Sequence, residues 1–239
     1  NIIEDKRQAK YYYSFLKHHQ ASHHIHIPCG DNFAGYYAHA AAIYIQSIWE
    51  EQGREPLFKL KEEHNKRGIE TLKKLGLPRN AWYVVCHVRE KGFKGEEKFR
   101  DSDISSYFGA FQEIVKRGGW IFRLGDNKMS PLPKMNQVID YALSEHKSDW
   151  MDIFLIASAK FMIATSSGLH AISHIFGIPT VMTNCLPSSM AILTKKDLFL
   201  PRLMKSKDNK KLLDLDKSMT PPYSLAFLDG TFENIFRVK

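Results

Sequence analysis

The sequence predicts an α/β fold: a doubly wound parallel sheet with a short, mainly helical N-terminal part. Two observations carry this expectation. Between about Ala81 and Val181, short apolar runs rich in β-forming residues alternate with stretches whose apolar residues recur at helical spacing. The switches between the two patterns fall at glycine, proline or small polar clusters. Strand followed by helix, repeated, favours parallel strands joined by right-handed crossovers. The chain has 239 residues and is 44% hydrophobic, enough to bury a substantial core. The change of pattern divides it into an N-terminal part, residues 1–78, and a Rossmann-like part, residues 79–239.

The elements follow in order. Residues 1–30 are polar and aromatic, with a cluster of His18, His19, His23, His24 and His26. Gly35 to Gln52 reads as a helix stopped by Gly53, and residues 53–60 as a linker. Glu62 to Leu75 is a second helix, ended by Gly76 and followed by Pro78. Trp82 to Val88 is a short, continuously apolar run, as a buried parallel strand requires. Arg89 to Arg100 is a charged loop. Asp103 to Arg117 is a helix with Asp103 as N-cap, closed by Gly118 and Gly119.

Trp120 to Leu124 is the second strand, followed by the turn Gly125-Asp126-Asn127. A proline-containing loop leads to a short apolar piece, Val138 to Leu143. Asp149 to Ala159 is a helix, and Asp149 with Asp152 resembles a capping box. Phe161 to Ala164 is the third strand. Thr165 to Gly168 is a tight turn, Leu169 to Phe176 a helix, and Pro179 to Met182 the fourth strand. Residues 185–239 read as loops, a short helix and a return segment.

Lys and Arg total 34 against 26 Asp and Glu, a formal charge of +8. Such a field attracts anions: a nucleotide, nucleic acid or an acidic membrane face. A nucleic-acid binder should carry a basic stripe interleaved with aromatics, and the sequence has none. Cys29, Cys86 and Cys185 are widely spaced and odd in number, which fits a reduced compartment better than a disulfide framework. The chain is therefore expected in the cytoplasm, with room for a peripheral contact at the inner membrane face. No apolar run approaches the roughly 18 residues of a membrane span.

In a doubly wound sheet, ligands bind at the carboxyl ends of the strands. Three polar groups fall there: His87-Val88-Arg89, Gly125-Asp126 and Thr165-Ser166-Ser167-Gly168. The last joins a strand to a helix start, whose free N–H groups and partial positive charge suit a phosphate. Gly168 lets the backbone come close, and Ser166 and Ser167 add hydroxyls. Plain capping of the helix by a serine is the alternative. Arg89 presents a planar fork that can hold a diphosphate, and His87 can bond a ribose or base. Here the alternative is a hydrogen-bonded sheet histidine beside an exposed arginine. Asp126 is either a nucleoside acceptor or a turn former. Arg123 is either a second phosphate contact or a paired structural cation.

On these residues the chain resembles a family. The run CHVRE resembles the His-x-Arg motif of the metal-independent GT-B fucosyltransferases, the core and nodulation α1,6-enzymes and their O-fucosyltransferase relatives. FMIATSSGLHAISHIFGIPTV resembles their Thr-Phe-Ser-Ser segment and the donor half of the heptosyltransferases. GGWIFRLGD with DYALSEHKSDWMDIFLIASAKF is similar to bacterial putative surface-polysaccharide glycosyltransferases. The resemblance spans roughly Trp82 to Pro201. It implies a nucleotide diphosphate sugar as donor, GDP-linked by preference, and a glycan or lipid-linked glycan as acceptor. It implies no metal cofactor and inversion in one displacement.

By the same resemblance Arg89, Ser166 and Ser167 meet the diphosphate, and His87 and Asp126 lie near the nucleoside; Thr165 and Gly168 of the same turn are further substrate-binding candidates. Glu90 is the candidate base. The doubled arginine of the fucosyltransferase motif is Arg89-Glu90 here, so one phosphate cation is missing or supplied elsewhere, with Lys91 and Arg123 as candidates. Residues 1–78 would be an acceptor-side or partial domain. A non-catalytic nucleotide-sugar-binding domain is the alternative function. Two Asp-x-Asp pairs, Asp101–Asp103 and Asp214–Asp216, also invite a metal-dependent reading, in which each pair would hold a divalent ion.

Overall fold

The computed structural model describes residues 45–90, 100–185, 194–206 and 210–218, together with the backbone of 236–238. The histidine cluster at 18–26, Cys29, the start of the helix expected from Gly35, and Lys91 lie outside them. Residues 45–51 are helical.

The elements are α1 (Glu62–Lys74), β1 (Tyr83–His87), α2 (Phe108–Lys116), β2 (Trp120–Leu124), β3 (Val138–Ile139), α3 (Asp149–Ala157), β4 (Met162–Thr165), α4 (Gly168–Ile175), β5 (Thr180–Thr183) and β6 (Leu198–Leu200). Beyond them come β7 (Met204–Ser206), α5 (Leu215–Ser218) and β8 (Phe236–Val238). The first six strands form one sheet in the order β3-β2-β1-β4-β5-β6, and every neighbouring pair is parallel. This is the expected Rossmann-like sheet, with its order reversing between β1 and β4. β7 and β8 make a separate antiparallel pair.

The sheet is buried on both faces because successive side chains of each strand point to opposite sides. On one face Tyr83 and Val85 of β1, Phe122 and Leu124 of β2 and Met162 of β4 pack with Leu72 of α1 and Phe154 and Leu155 of α3. On the other, Val84, Cys86, Ile121 and Ile163 pack with Tyr107, Phe111 and Ile114 around α2. Apart from Arg123 in β2 and His87 at the end of β1, the interiors of these three strands are apolar, which explains why they read as nearly continuous runs.

α1 presses close on α3. A Cβ at Gly68 would run into the Phe154 ring, so only glycine allows that approach. The chain before α1 lies on the same layer: Phe58 N–H donates to the Ile175 carbonyl at 3.0 Å, and the Phe58 and Phe176 rings are 6.1 Å apart. Residues 45–74 thus pack on the sheet unit itself.

Several local readings shift. Asp103 caps as expected, accepting from Ser105 N–H at 2.8 Å, but it opens a 3-10 turn (Ile104–Tyr107) that continues into α2. The apolar piece at 138–143 is a two-residue strand and a second 3-10 turn. α3 is capped by Ser148, whose hydroxyl accepts from Met151 N–H at 3.2 Å, and not by an Asp149–Asp152 box. The Asp152 carboxylate takes Lys147 Nζ at 2.6 Å instead. β6 was expected as loop. Asp197 just before it accepts from Thr180 N–H at 2.6 Å and Thr194 N–H at 2.7 Å, which pins β6 to β5. Among the described residues no helix is long and apolar enough to cross a membrane.

Candidate functional site

The reversal of strand order leaves a crevice beyond the carboxyl ends of β1 and β4. The two strands are in direct register, His87 beside Ala164, so the residues after them meet at once. Arg89 N–H donates to Thr165 Oγ1 at 3.0 Å. Ser167 Oγ and His87 Nδ1 share a hydrogen bond of 3.0 Å. Two of the three groups picked out by sequence, at 87–89 and 165–168, therefore form one bonded cluster at the switch point.

Ser167 is also the N-cap of α4, and its own N–H donates to His170 Nδ1 at 3.2 Å. At Gly168 the space where a side chain would stand is open, so a ligand can reach the backbone at the helix start. His87 is 8% exposed. Burial first, then the nearby positive charges of His170, Arg123 and Lys147, push its pKa down to about 4. His87 is thus a neutral hydrogen-bonding group near neutral pH, suited to a ribose or base and unsuited to a phosphate charge.

Arg89 is 9% exposed, not an exposed arginine, and its Nε lies 3.3 Å from Asp101 Oδ1. Asp101 is held in turn. Arg202 Nη1 donates to its carbonyl at 3.4 Å, as does Asn184 Nδ2. Asn184, with a φ of 54°, is in the left-handed region that asparagine tolerates, at the end of β5. Ser102 N–H donates to the Arg89 carbonyl at 2.8 Å. Residues 100–102 are therefore a strap across the ends of β1 and β5.

Arg100 on that strap donates from Nη2 to the Ser166 carbonyl at 2.6 Å and to Ser166 Oγ at 3.3 Å. Arg100, Asn184 and Arg202 were not singled out by sequence. Arg100 stands at the end of a charged loop, and nothing local marks it. Of the Asp101–Asp103 pair, one carboxylate faces Arg89 and the other caps the turn before α2. Asp214 accepts from the N–H groups of Asp216 and Lys217.

The third group follows Leu124, which lies in register with His87. Asp126 is exposed and its Oδ1 accepts from Lys128 N–H at 2.8 Å, a turn-forming bond. Arg123 is 1% exposed and faces inward from β2. Its guanidinium donates to Asp140 Oδ1 at 2.8 Å, Ser130 O at 2.8 Å and Glu90 Oε1 at 3.2 Å. Of its two readings, these bonds describe the paired structural cation. They also commit one oxygen of Glu90.

No family model matches the chain, and neither does any curated protein. Among solved structures it is similar to the glycosyl transferase family 9 protein from Veillonella parvula DSM 2008, at 13% identity and a TM-score of 0.46. The likeness covers 68% of this chain and 48% of that one, so the chain spans about half the length of that protein.

Proposed function

We propose that this chain carries the donor site of a metal-independent, inverting glycosyltransferase. The donor would be a nucleoside diphosphate sugar, GDP-linked by preference, and the acceptor a glycan of surface-polysaccharide synthesis. The observation that supports this most is the bonded cluster at the switch point: His87 on Ser167, and Arg89 on Thr165, beside the open start of α4. The motifs carried by these residues, in this order, support it further.

In this reading the acceptor hydroxyl oxygen bonds to the anomeric carbon as that carbon's bond to the diphosphate oxygen breaks, through an oxocarbenium-like state. Negative charge grows on the leaving diphosphate. Arg89 and the N–H groups of α4 meet that charge, and one such preorganised donor is typically worth roughly 3 kcal/mol. His87, neutral and buried, positions the nucleoside. Glu90 is the carboxylate at the end of β1 that would take the acceptor hydroxyl proton.

Calorimetric titration with GDP-, UDP-, ADP- and CMP-sugars tests the site. One donor should bind, and Arg89→Ala should weaken it at least about tenfold, the loss expected of a charged hydrogen bond. Equal affinity in both proteins would exclude Arg89 from the donor site.

A second reading, a binding module without turnover, is favoured by one observation: Arg89 is engaged by Asp101 and Glu90 by Arg123. Slow hydrolysis of the bound donor by the isolated chain would argue against this module and for the enzyme.

A further inference from the structure

We propose that the surface running from β6 through the hairpin of β7 is a docking face for an anionic lipid bilayer. It stands whatever binds at the switch point. Of the eleven large apolar side chains exposed among the described residues, five are leucines of this one stretch: Leu198, Leu200, Leu203, Leu212 and Leu215. Scattered singly, exposed leucines are ordinary, but a group of them marks an interaction site.

The hairpin shows how they are displayed. Ser206 N–H donates to the Lys211 carbonyl at 2.9 Å and Leu213 N–H to the Met204 carbonyl at 2.8 Å, which lays residues 211–213 against β7. Successive side chains of a strand point to opposite sides. Met204 turns inward and is 3% exposed, whereas Leu203 before it is 49% exposed. Leu212 stands opposite Lys205 and is 54% exposed. Leu203, Lys205 and Leu212 therefore share the outward face, where an antiparallel pair ordinarily carries polar residues. β7 is paired on both edges, by residue 212 and by β8. It offers a partner no free strand edge, only this face.

The charge decides what fits. From Thr194 to Ser218 the described residues carry seven Lys and Arg against three Asp, a formal +4, half of the +8 of the whole chain. One of the three, Asp197, has a fully buried carboxylate. Six of the seven basic residues are lysines, a residue depleted from protein–protein interfaces. Leucine is likewise under-represented among the residues that anchor such interfaces. At a bilayer both are suited: leucine enters the acyl boundary, and lysine lays its carbon stem on apolar surface with its ammonium among the headgroup phosphates. The face also begins at the crevice. Arg202, between β6 and β7, donates from Nη1 to the Asp101 carbonyl of the strap at 3.4 Å, so docking brings the carboxyl edge of the sheet toward the lipid.

Co-sedimentation of the full chain with vesicles tests the assignment. Wild type is expected to pellet with vesicles of phosphatidylcholine and phosphatidylglycerol in equal parts, to stay in solution with phosphatidylcholine alone, and to be released as salt is raised. Leu203→Ser combined with Leu212→Ser is expected to weaken binding at least about tenfold. Lys210→Gln combined with Lys211→Gln is expected to weaken it about tenfold or more. All four side chains are exposed, so an unchanged melting temperature checks the fold. The lysine pair decides alone if the leucine pair disturbs it.

Failure of wild type to pellet with the acidic vesicles overturns the proposal, as does equal pelleting with the two vesicle types. Binding that either folded variant retains in full moves the docking face elsewhere and overturns it too. A wild-type dimer that the leucine pair converts to a monomer, without vesicle binding, assigns the face to a second copy of the chain instead.

Discussion

β1 and β2 lie side by side, and each brings a buried arginine to the same edge of the sheet. Arg123 is held by two carboxylates and a carbonyl drawn from the ends of β1 and β3 and from the loop after β2. Asp140, the nearer of its two carboxylates, also accepts from Leu132 N–H at 2.9 Å, so the same carboxylate fixes the loop. Arg89 Nε lies 3.3 Å from the Asp101 carboxylate, and its backbone N–H ties it to β4. The residue type is the same and the burial similar. Arg123 holds three strand ends together through its guanidinium, whereas Arg89 joins β4 through its backbone. A buried guanidinium must be compensated wherever it lies.

The largest expected effect follows on the Arg123 side. Arg123→Met removes the cation and leaves Asp140 and Glu90 as neighbouring carboxylates without it. Breaking a buried pair from one side costs about 3–5 kcal/mol. Urea denaturation at pH 7 should show a loss of that size, with a clearly smaller loss for Arg89→Ala. Equal losses would erase the distinction between the two arginines.

The next effect separates the two regions by pH. His87 has a folded pKa pushed down to about 4, against 6.5 for an ordinary histidine. Between those values the unfolded chain binds the proton and the folded one does not. Stability from this group is therefore complete above about pH 6.5 and falls as the pH drops toward 4, by roughly 3 kcal/mol in all. His87→Gln, which keeps a hydrogen-bonding side chain and cannot titrate, should flatten the decline between pH 6.5 and 4 relative to wild type. Parallel pH profiles of melting temperature would show that His87 is not the group held neutral at the crevice.

Where the sequence was legible, a local physical signal existed. β2 matches its expected span, Trp120 to Leu124, because glycines bound the apolar run on both sides. The pairing of 87–89 with 165–168 was legible because alternation of strand and helix forces parallel neighbours, and parallel neighbours end at one edge. Arg100 was not legible. It is 66 residues from Ser166, and their contact depends on how the strap crosses the sheet. β6 was missed for a related reason: Leu198 and Leu200 are exposed, so the strand carries no burial pattern, and two backbone bonds to Asp197 hold it. Sequence pattern reports burial well and long-range polar bonds poorly.

The smallest expected stability effect gives the sharpest test of the crevice. Gly168 has no positive φ and an open space beside it, so neither backbone strain nor a clash demands glycine there. Alanine is the better helix former by up to about 1 kcal/mol, and less at the first turn. Gly168→Ala should fold with a melting temperature equal to wild type or slightly higher. Its methyl group, however, would stand in the space through which a phosphate reaches the N–H groups of α4, so donor affinity should fall about tenfold, the worth of a charged hydrogen bond. A glycine that costs nothing to replace in the folded chain yet matters for binding is explained by a ligand and by little else. Unchanged affinity in Gly168→Ala would move the phosphate seat away from the start of α4.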